Sequence, residues 1–218
     1  LKTGKLTIEP VPVLRELIGF ASRENNKRGF LFVSKVLGKH IACKPSSMEN
    51  IHKSLAEMLK KKLNNKNTVV IGFAETATGI GNGVYCKLNH PSSFYIHTTR
   101  YQLSEPVLLN FQEEHCHAPS HILYDVKNKN LKRIFKNAEN IVLIDDEITT
   151  GKTIKNIISA LKEKLPWVKN YFAVSILNWM DDFPKEIEFI SLYKGNFTFD
   201  SKSYEVENPA VSVTENRN

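Results

Sequence analysis

Residues 141–153, IVLIDDEITTGKT, constrain the fold more than any other stretch of this chain. Ile141, Val142, Leu143 and Ile144 form an apolar run with no polar face, the pattern of a strand buried on both sides in a parallel sheet. Three acids follow without a break, Asp145, Asp146 and Glu147, and then a polar turn from Thr149 to Thr153. That turn leads into a helical pattern over 153–165, with Ile154, Ile157, Ile158, Leu161 and Leu165 on one face and Pro166 as the stop. In open parallel sheets ligands bind beyond the carboxyl ends of the strands, so the acids emerge where a site would be built.

The rest of the chain repeats this alternation. VPVLRELIGFAS (11–22) carries Leu14, Leu17, Ile18 and Ala21 at helical spacing, and RGFLFVSKVLGKHIAC (28–43) reads as an irregular hairpin turning at Gly38. PSSMENIHKSLAEMLKKKL (45–63) predicts a helix with a capping box at Ser46 and Glu49 and an apolar stripe of Ile51, Leu55, Met58, Leu59 and Leu63. TVVIGFAETATGIG (68–81) is a short strand stopping at a small-residue turn. SSFYIHTT and SHILYDV are two further strands, separated by about twenty irregular residues, long for a connection in a compact domain. YFAVSILNW and IEFISLYKGNFTF complete the set. Short continuous apolar strands alternating with amphipathic helices predict an α/β fold, a mostly parallel sheet with helices on both faces. The 218 residues suit one domain, 1–200, with 201–218 as a polar extension or linker.

Composition narrows the function classes. No apolar run approaches the roughly 20 residues that cross a bilayer, and no stretch has the make-up of a signal peptide. Leu1 rather than Met opens the sequence, consistent with a fragment or a processed form. Cys43, Cys86 and Cys116 are sparse, odd in number and unpaired in spacing, which predicts a reducing, cytoplasmic setting. The net charge of +7 suits a polyanionic partner, either nucleic acid or a small phosphorylated substrate. Much of the excess sits in MLKKKLNNKN (58–67), at one helix end and not along a groove with interleaved aromatic residues, which argues against a nucleic-acid module.

The turn after the acids has the chemistry of a phosphate site. Backbone amides at a helix N-terminus offer fixed donors and positive potential, Gly151 permits close approach, and Thr149, Thr150 and Thr153 add hydroxyls. Carboxylates a few residues earlier could hold neighbouring hydroxyls of a sugar bearing that phosphate. A nucleoside-triphosphatase loop would need glycine five positions before Gly151, where Asp146 stands. A haloacid-type phosphatase would need Asp-x-Asp, whereas Glu147 holds the third position. Thr149 or Thr150 as a plain helix cap explains the threonines but not three clustered acids.

IVLIDDEITTGKT resembles, over all of positions 141–153, the phosphoribosyl pyrophosphate (PRPP) motif of the type I phosphoribosyltransferases. The wider chain is similar to the branch found in tellurite-resistance gene clusters, through RGFLFVSKVLGKHI, GFAETATGIG, YIHTTR and FQEEHCHAPSH, over roughly residues 10–180. The resemblance implies the type I parallel-sheet fold with a small hood subdomain over the nucleobase pocket, to which about residues 10–45 would contribute. It implies that Asp145 and Asp146 bind the ribose hydroxyls and that Thr149, Thr150, Gly151, Lys152 and Thr153 cradle the 5-phosphate. Mg²⁺ would ride on the substrate, near Asp145 and Asp146, more than on the protein. Glu75, Thr76, Ala77 and Thr78 occupy the place of the loop that grips pyrophosphate through backbone amides. Relatives carry Lys or Arg there and this chain carries Glu75, so side-chain neutralisation has to come from elsewhere; Arg100 is one candidate. For each of these loop residues, a turn that packs a helix onto the sheet is an equal alternative.

The connection 101–121 falls where type I relatives place a loop that closes over the reaction. Orotate-type relatives use basic residues in it, but here no Lys or Arg lies between Tyr101 and Val126. Glu114, His115 and His117 are instead the candidates for acid/base catalysis, with Glu113 or Glu114 orienting a histidine. The same EEHCHAPSH stretch is rich in metal-ligating types, although its spacing fits no zinc signature and a surface loop without chemistry is the other alternative. Lys35, Lys39 and His40 are candidates for contacts to the base or the phosphates, against a hairpin with solvated lysines. Phe30, Phe32, Tyr101 and Trp179 could face a base, against core packing.

The expected function is transfer of ribose 5-phosphate from PRPP to a nitrogenous base with release of pyrophosphate, Mg²⁺-dependent and away from membranes. The alternative is a PRPP-responsive regulatory protein of the same fold without turnover. The acceptor base and the oligomeric state are not legible in the sequence, and the resemblance admits a homodimer.

Overall fold

The computed structural model describes residues 1, 3–9, 14–23, 29–111 and 121–201. In chain order the elements are β1 (Gly4–Glu9), α1 (Leu14–Leu17), β2 (Ile18–Ser22), β3 (Phe30–Ser34), α2 (Pro45–Lys60), β4 (Thr68–Gly72), α3 (Ala77–Leu88) and β5 (Ser93–His97). They continue as β6 (Val107–Phe111), β7 (His121–Tyr124), α4 (Lys129–Lys136), β8 (Asn140–Ile148), α5 (Lys152–Lys164), β9 (Asn170–Asn178), β10 (Ile187–Lys194) and β11 (Asn196–Ser201).

Five of these strands form one sheet in the order β10-β9-β8-β4-β5, and every neighbouring pair is parallel. The expected α/β class is therefore what the chain adopts. Alternate residues of the strands feed two separate cores. Val69, Ile71, Ile141 and Leu143 pack with Ile154, Ile157 and Leu161 of α5 and Phe135 of α4. Val70, Val142 and Ile144 pack on the other face with Leu55 and Leu59 of α2 and Ile80 and Val84 of α3. Burial on both faces is why these strands carry no polar alternation. Three antiparallel pairs, β1-β11, β2-β3 and β6-β7, surround the sheet.

Several expectations about local structure are corrected. The helix predicted over 11–22 is helical only from Leu14 to Leu17; from Ile18 the chain is extended and pairs with β3, Ile18 opposite Ser34 and Ser22 opposite Phe30. A remote partner overrides a helical spacing that was too short to hold by itself. The hairpin predicted within 28–43 is absent for the same reason. β3 already has its partner, and Gly38 (φ +65°) turns the chain without a return strand. The capping box is also absent, because α2 starts at Pro45 behind Lys44 and Glu49 pairs with Lys87 of α3 at 2.5 Å. Met58 lies on the solvent side, 37% exposed, and Ala56 takes its expected buried place.

The stretch 101–121 is not irregular throughout, because VLLNF (107–111) is β6 and pairs with β7. The strand predicted over 187–199 is two strands, divided at Gly195, and the second runs beside β1. Residues 202–218, expected as an extension or linker, lie outside the described residues. No helix among the described residues is long and apolar enough to cross a membrane.

Candidate active site

With β4 taken as the first strand of the central sheet, the order is the doubly wound 2-1-3-4-5 arrangement, whose ligand crevice opens where the strand order reverses. That point lies between β4 and β8. Their pairing ends at Gly72 opposite Ile144, where the Phe73 amide donates to the Ile144 carbonyl at 3.0 Å. Beyond it β4 turns away into residues 73–76, whereas β8 runs on to Ile148 against β9, with Asp145 opposite Ser175. The acids therefore lie within the strand and not past its end, but on a stretch that only β9 accompanies.

The two strand-end turns meet across this gap. The Thr76 hydroxyl donates to Asp146 Oδ1 at 2.8 Å, over 70 residues of sequence. The Asp146 amide donates to Asp145 Oδ1 at 2.9 Å, which fixes the first carboxylate against its own backbone. Thr76 is the N-cap of α3, yet its hydroxyl caps no amide because Asp146 holds it. α5 begins in the same way without a side-chain cap. Its N-cap is Gly151 at φ +68°, not Thr149 or Thr150 as the capping alternative had it. Thr150 Oγ1 accepts from the Lys152 amide at 3.4 Å. Both helices start without an acid in the first turn, so two positive helix ends stand at the carboxyl edge of the sheet.

The other expected contributors gather around residues 74–78. Glu75 and Thr78 line a cleft of about 250 Å³ together with Lys39, Thr98, Arg100 and Tyr101. Lys39 Nζ donates to the Glu75 carbonyl at 2.7 Å. The Ala74 amide donates to Thr98 Oγ1 at 2.8 Å, and Thr98 Oγ1 lies 2.9 Å from Nδ1 of the fully buried His121. Tyr95 donates to the Thr78 carbonyl at 2.7 Å, and burial pushes its phenol upward, so it stays a donor. The Tyr95 ring lies where a Cβ on Gly81 would come within 2.7 Å of it, so glycine is required at that close approach. A larger groove, about 460 Å³, lies over α2 and α3, where Lys87 pairs with Glu49 and Lys53 with Glu57.

The structure thus joins Thr76 to Asp146 and collects Glu75, Thr78 and Arg100 in one cleft, while Ala77 is buried in the first turn of α3. Thr149, Thr150 and Gly151 form the turn between β8 and α5, and Lys152 and Thr153 are the first two residues of the helix. Glu113, Glu114, His115 and His117 lie outside the described residues. Among the described residues no three His, Cys, Asp or Glu side chains gather as a metal site. Lys35 is turned to the Arg15 carbonyl at 2.8 Å. Trp179 is core, stacked on Phe32 at 4.8 Å and edge-on to Phe197, and Phe30 packs in the same aromatic group. Tyr101 is 71% exposed. Sequence reasoning missed Thr98 and Tyr95. Their only signal was a polar residue within or just after an apolar strand, a position that demands a partner when buried.

A family model described as phosphoribosyl transferase matches residues 17–194. The chain belongs to that family and is a phosphoribosyltransferase. Adenine phosphoribosyl transferase from Trypanosoma brucei, solved with AMP, pyrophosphate and ribose-5-phosphate, is similar at TM-score 0.58 and 17% identity, over 85% of this chain and 81% of that one. The adenine phosphoribosyltransferase of Thermoanaerobacter pseudethanolicus gives TM-score 0.58 at 16% identity, over 84% of this chain and 98% of that one. That of Leishmania tarentolae gives 0.57 at 16%, over 84% and 85%. At these identities the likeness is one of fold. No curated protein matches the chain.

Proposed function

We propose that the chain transfers ribose 5-phosphate from PRPP to a ring nitrogen of a base and releases pyrophosphate. The observation that carries this reading is the Thr76–Asp146 hydrogen bond, which joins the two strand-end turns at the point where the sheet order reverses. Asp145 and Asp146 accept from the ribose hydroxyls. The amides and hydroxyls of Thr149, Thr150, Gly151, Lys152 and Thr153, at the positive end of α5, hold the 5-phosphate. The backbone of Glu75, Thr76, Ala77 and Thr78, with Arg100, holds the pyrophosphate.

The chemistry breaks the C1–O bond to pyrophosphate and forms a bond from the base nitrogen to C1, while the nitrogen's proton leaves to a base. Positive charge develops at C1 and negative charge on the leaving group, so fixed donors at the pyrophosphate end favour the transition state. Glu114, His115 and His117 are the proposed acid/base residues, with Glu113 or Glu114 orienting a histidine. Asp145 and Asp146 are adjacent hard oxygen donors, a set that suits a magnesium ion carried in on the substrate with several of its waters. When bound, that ion would neutralise charge on the leaving group.

The matches to GFAETATGIG, YIHTTR and the PRPP motif support placing the chain in the tellurite-cluster branch, and sparse cysteines support a cytoplasmic setting. The test is protein mixed with Mg²⁺, PRPP and a panel of orotate-like, purine and unusual bases. Pyrophosphate release with at least one base is expected. Tight PRPP binding without release for any base would instead establish the regulatory alternative.

A further inference from the structure

Lys39 reaches the cleft from a distant part of the chain. It lies in the segment that follows β3, 36 residues before Glu75, yet its ammonium donates to the Glu75 carbonyl at 2.7 Å and lies 3.9 Å from the Glu75 carboxylate. The two side chains remain 41% and 51% exposed, so the ammonium is held by one carbonyl and one loosely spaced carboxylate while facing water. Lysine has three donors, and an exposed pair of this kind exchanges partners at little cost. Lys35 is occupied elsewhere, on Arg15, so of these two lysines Lys39 is the one aimed at residues 74–78.

We propose that Lys39 is a cation of the pyrophosphate subsite beside Arg100, supplied across the cleft to a turn that carries an acid in its own sequence. The inference rests on the site reading given above and adds a residue to it. A pyrophosphate group bears several negative charges, and backbone amides offset only part of them. Glu75 alone would repel it, and Arg100 stands on the wall of the same cleft. Glu75 holds the Lys39 ammonium within reach of the cleft, and on pyrophosphate binding the ammonium passes from the Glu75 carbonyl to a pyrophosphate oxygen. A compact, mobile point charge suits this exchange.

Calorimetric titration with magnesium pyrophosphate, and separately with ribose 5-phosphate, tests the assignment on wild-type protein and on Lys39→Met, Lys39→Arg and Glu75→Gln. Lys39→Met is expected to weaken pyrophosphate binding about ten- to a hundredfold, the range of a lost charge-assisted hydrogen bond. Ribose 5-phosphate binding should hold, Lys39→Arg should restore most of the loss, and Glu75→Gln should bind pyrophosphate more tightly. Unchanged pyrophosphate affinity in Lys39→Met, or equal loss of both ligands, overturns the assignment and leaves the site reading in place. Wild-type protein that takes up neither ligand overturns both.

Discussion

Gly151 is held at φ +68°, and a Cβ built there would lie 2.6 Å from Met180 Sδ. The residue therefore satisfies two demands at once, a left-handed backbone and room for the Met180 thioether. Gly151→Ala should cost about 1–2 kcal/mol from backbone strain, with the displacement of Met180 adding to it. A lowered denaturation midpoint at unchanged slope would show this, accompanied by weaker PRPP binding. Asp146 permits a finer dissection. Asn at 146 keeps an oxygen to accept from Thr76, so Asp146→Asn reports the charge, whereas Thr76→Val reports the bridge. Asp145→Asn combined with Asp146→Asn should raise the PRPP dissociation constant at least about tenfold, and an unchanged constant would remove the ribose assignment. His115→Ala with His117→Ala should depress turnover far more than PRPP affinity, a split that single-turnover kinetics and titration separate.

At the scale of elements, the turn after β4 is set by neighbours distant in sequence. Thr98 accepts from the Ala74 amide and meets His121 at the start of β7, and Thr99 bridges to Ile122 through a pair of backbone bonds of 2.9 and 2.8 Å. Thr98→Val would leave the buried Ala74 amide without this acceptor and take one contact from the buried imidazole, at about 1–3 kcal/mol. Because the amide belongs to the turn that carries Glu75, KM for PRPP should rise more than kcat falls, and Thr98→Ser should rescue both. The α2–α3 contact has a pH signature. Burial, with Lys87 nearby, depresses His52 below its ordinary value near 6.5, against a smaller opposing pull from Glu49. The unfolded chain therefore binds more protons just below pH 6.5, so stability is fully present above that pH and is lost as pH falls through the folded-state pKa. Denaturation midpoints across that range should show the drop, and His52→Gln should flatten it.

Which elements the sequence announced follows from where their order comes from. The strands of the central sheet are apolar on both faces, and that property is written in the residues themselves, as in TVVIG and IVLI. β2, β6 and β11 owe their extended form to partners, and β2 begins at Ile18 in a run whose Leu14, Leu17, Ile18 and Ala21 have helical spacing. No local pattern contains a partner's position.

For the whole molecule the same distinction divides the site. Its contiguous part, Asp145 to Thr153, was legible because strand, acids and turn follow one another in a single run. The Thr76–Asp146 bridge, the Lys39–Glu75 contact and the Thr98–His121 pair span 70, 36 and 23 residues, and only the folded chain brings them together. Since a ligand at this crevice would join segments from most of the chain, it should stabilise the molecule globally. PRPP with Mg²⁺ at about a hundred times its dissociation constant should add about 2.7 kcal/mol, a rise in Tm of roughly 5–10 °C for a chain of this size. The Asp145→Asn, Asp146→Asn double variant should lose that rise in a thermal-shift measurement.

The pairing of β1 with β11 also sets an order of events. Gly4 faces Ser201 and Glu9 faces Asn196, so β1, synthesised ahead of the central sheet, has no partner until β11 is made after it. The parallel sheet can be assembled and closed before this ladder exists. Its antiparallel sense also fixes how it yields: tension applied at Gly4 and Ser201 loads a single rung at a time, so the two ends peel open like a zipper at low force while the catalytic sheet behind them carries none of the pull.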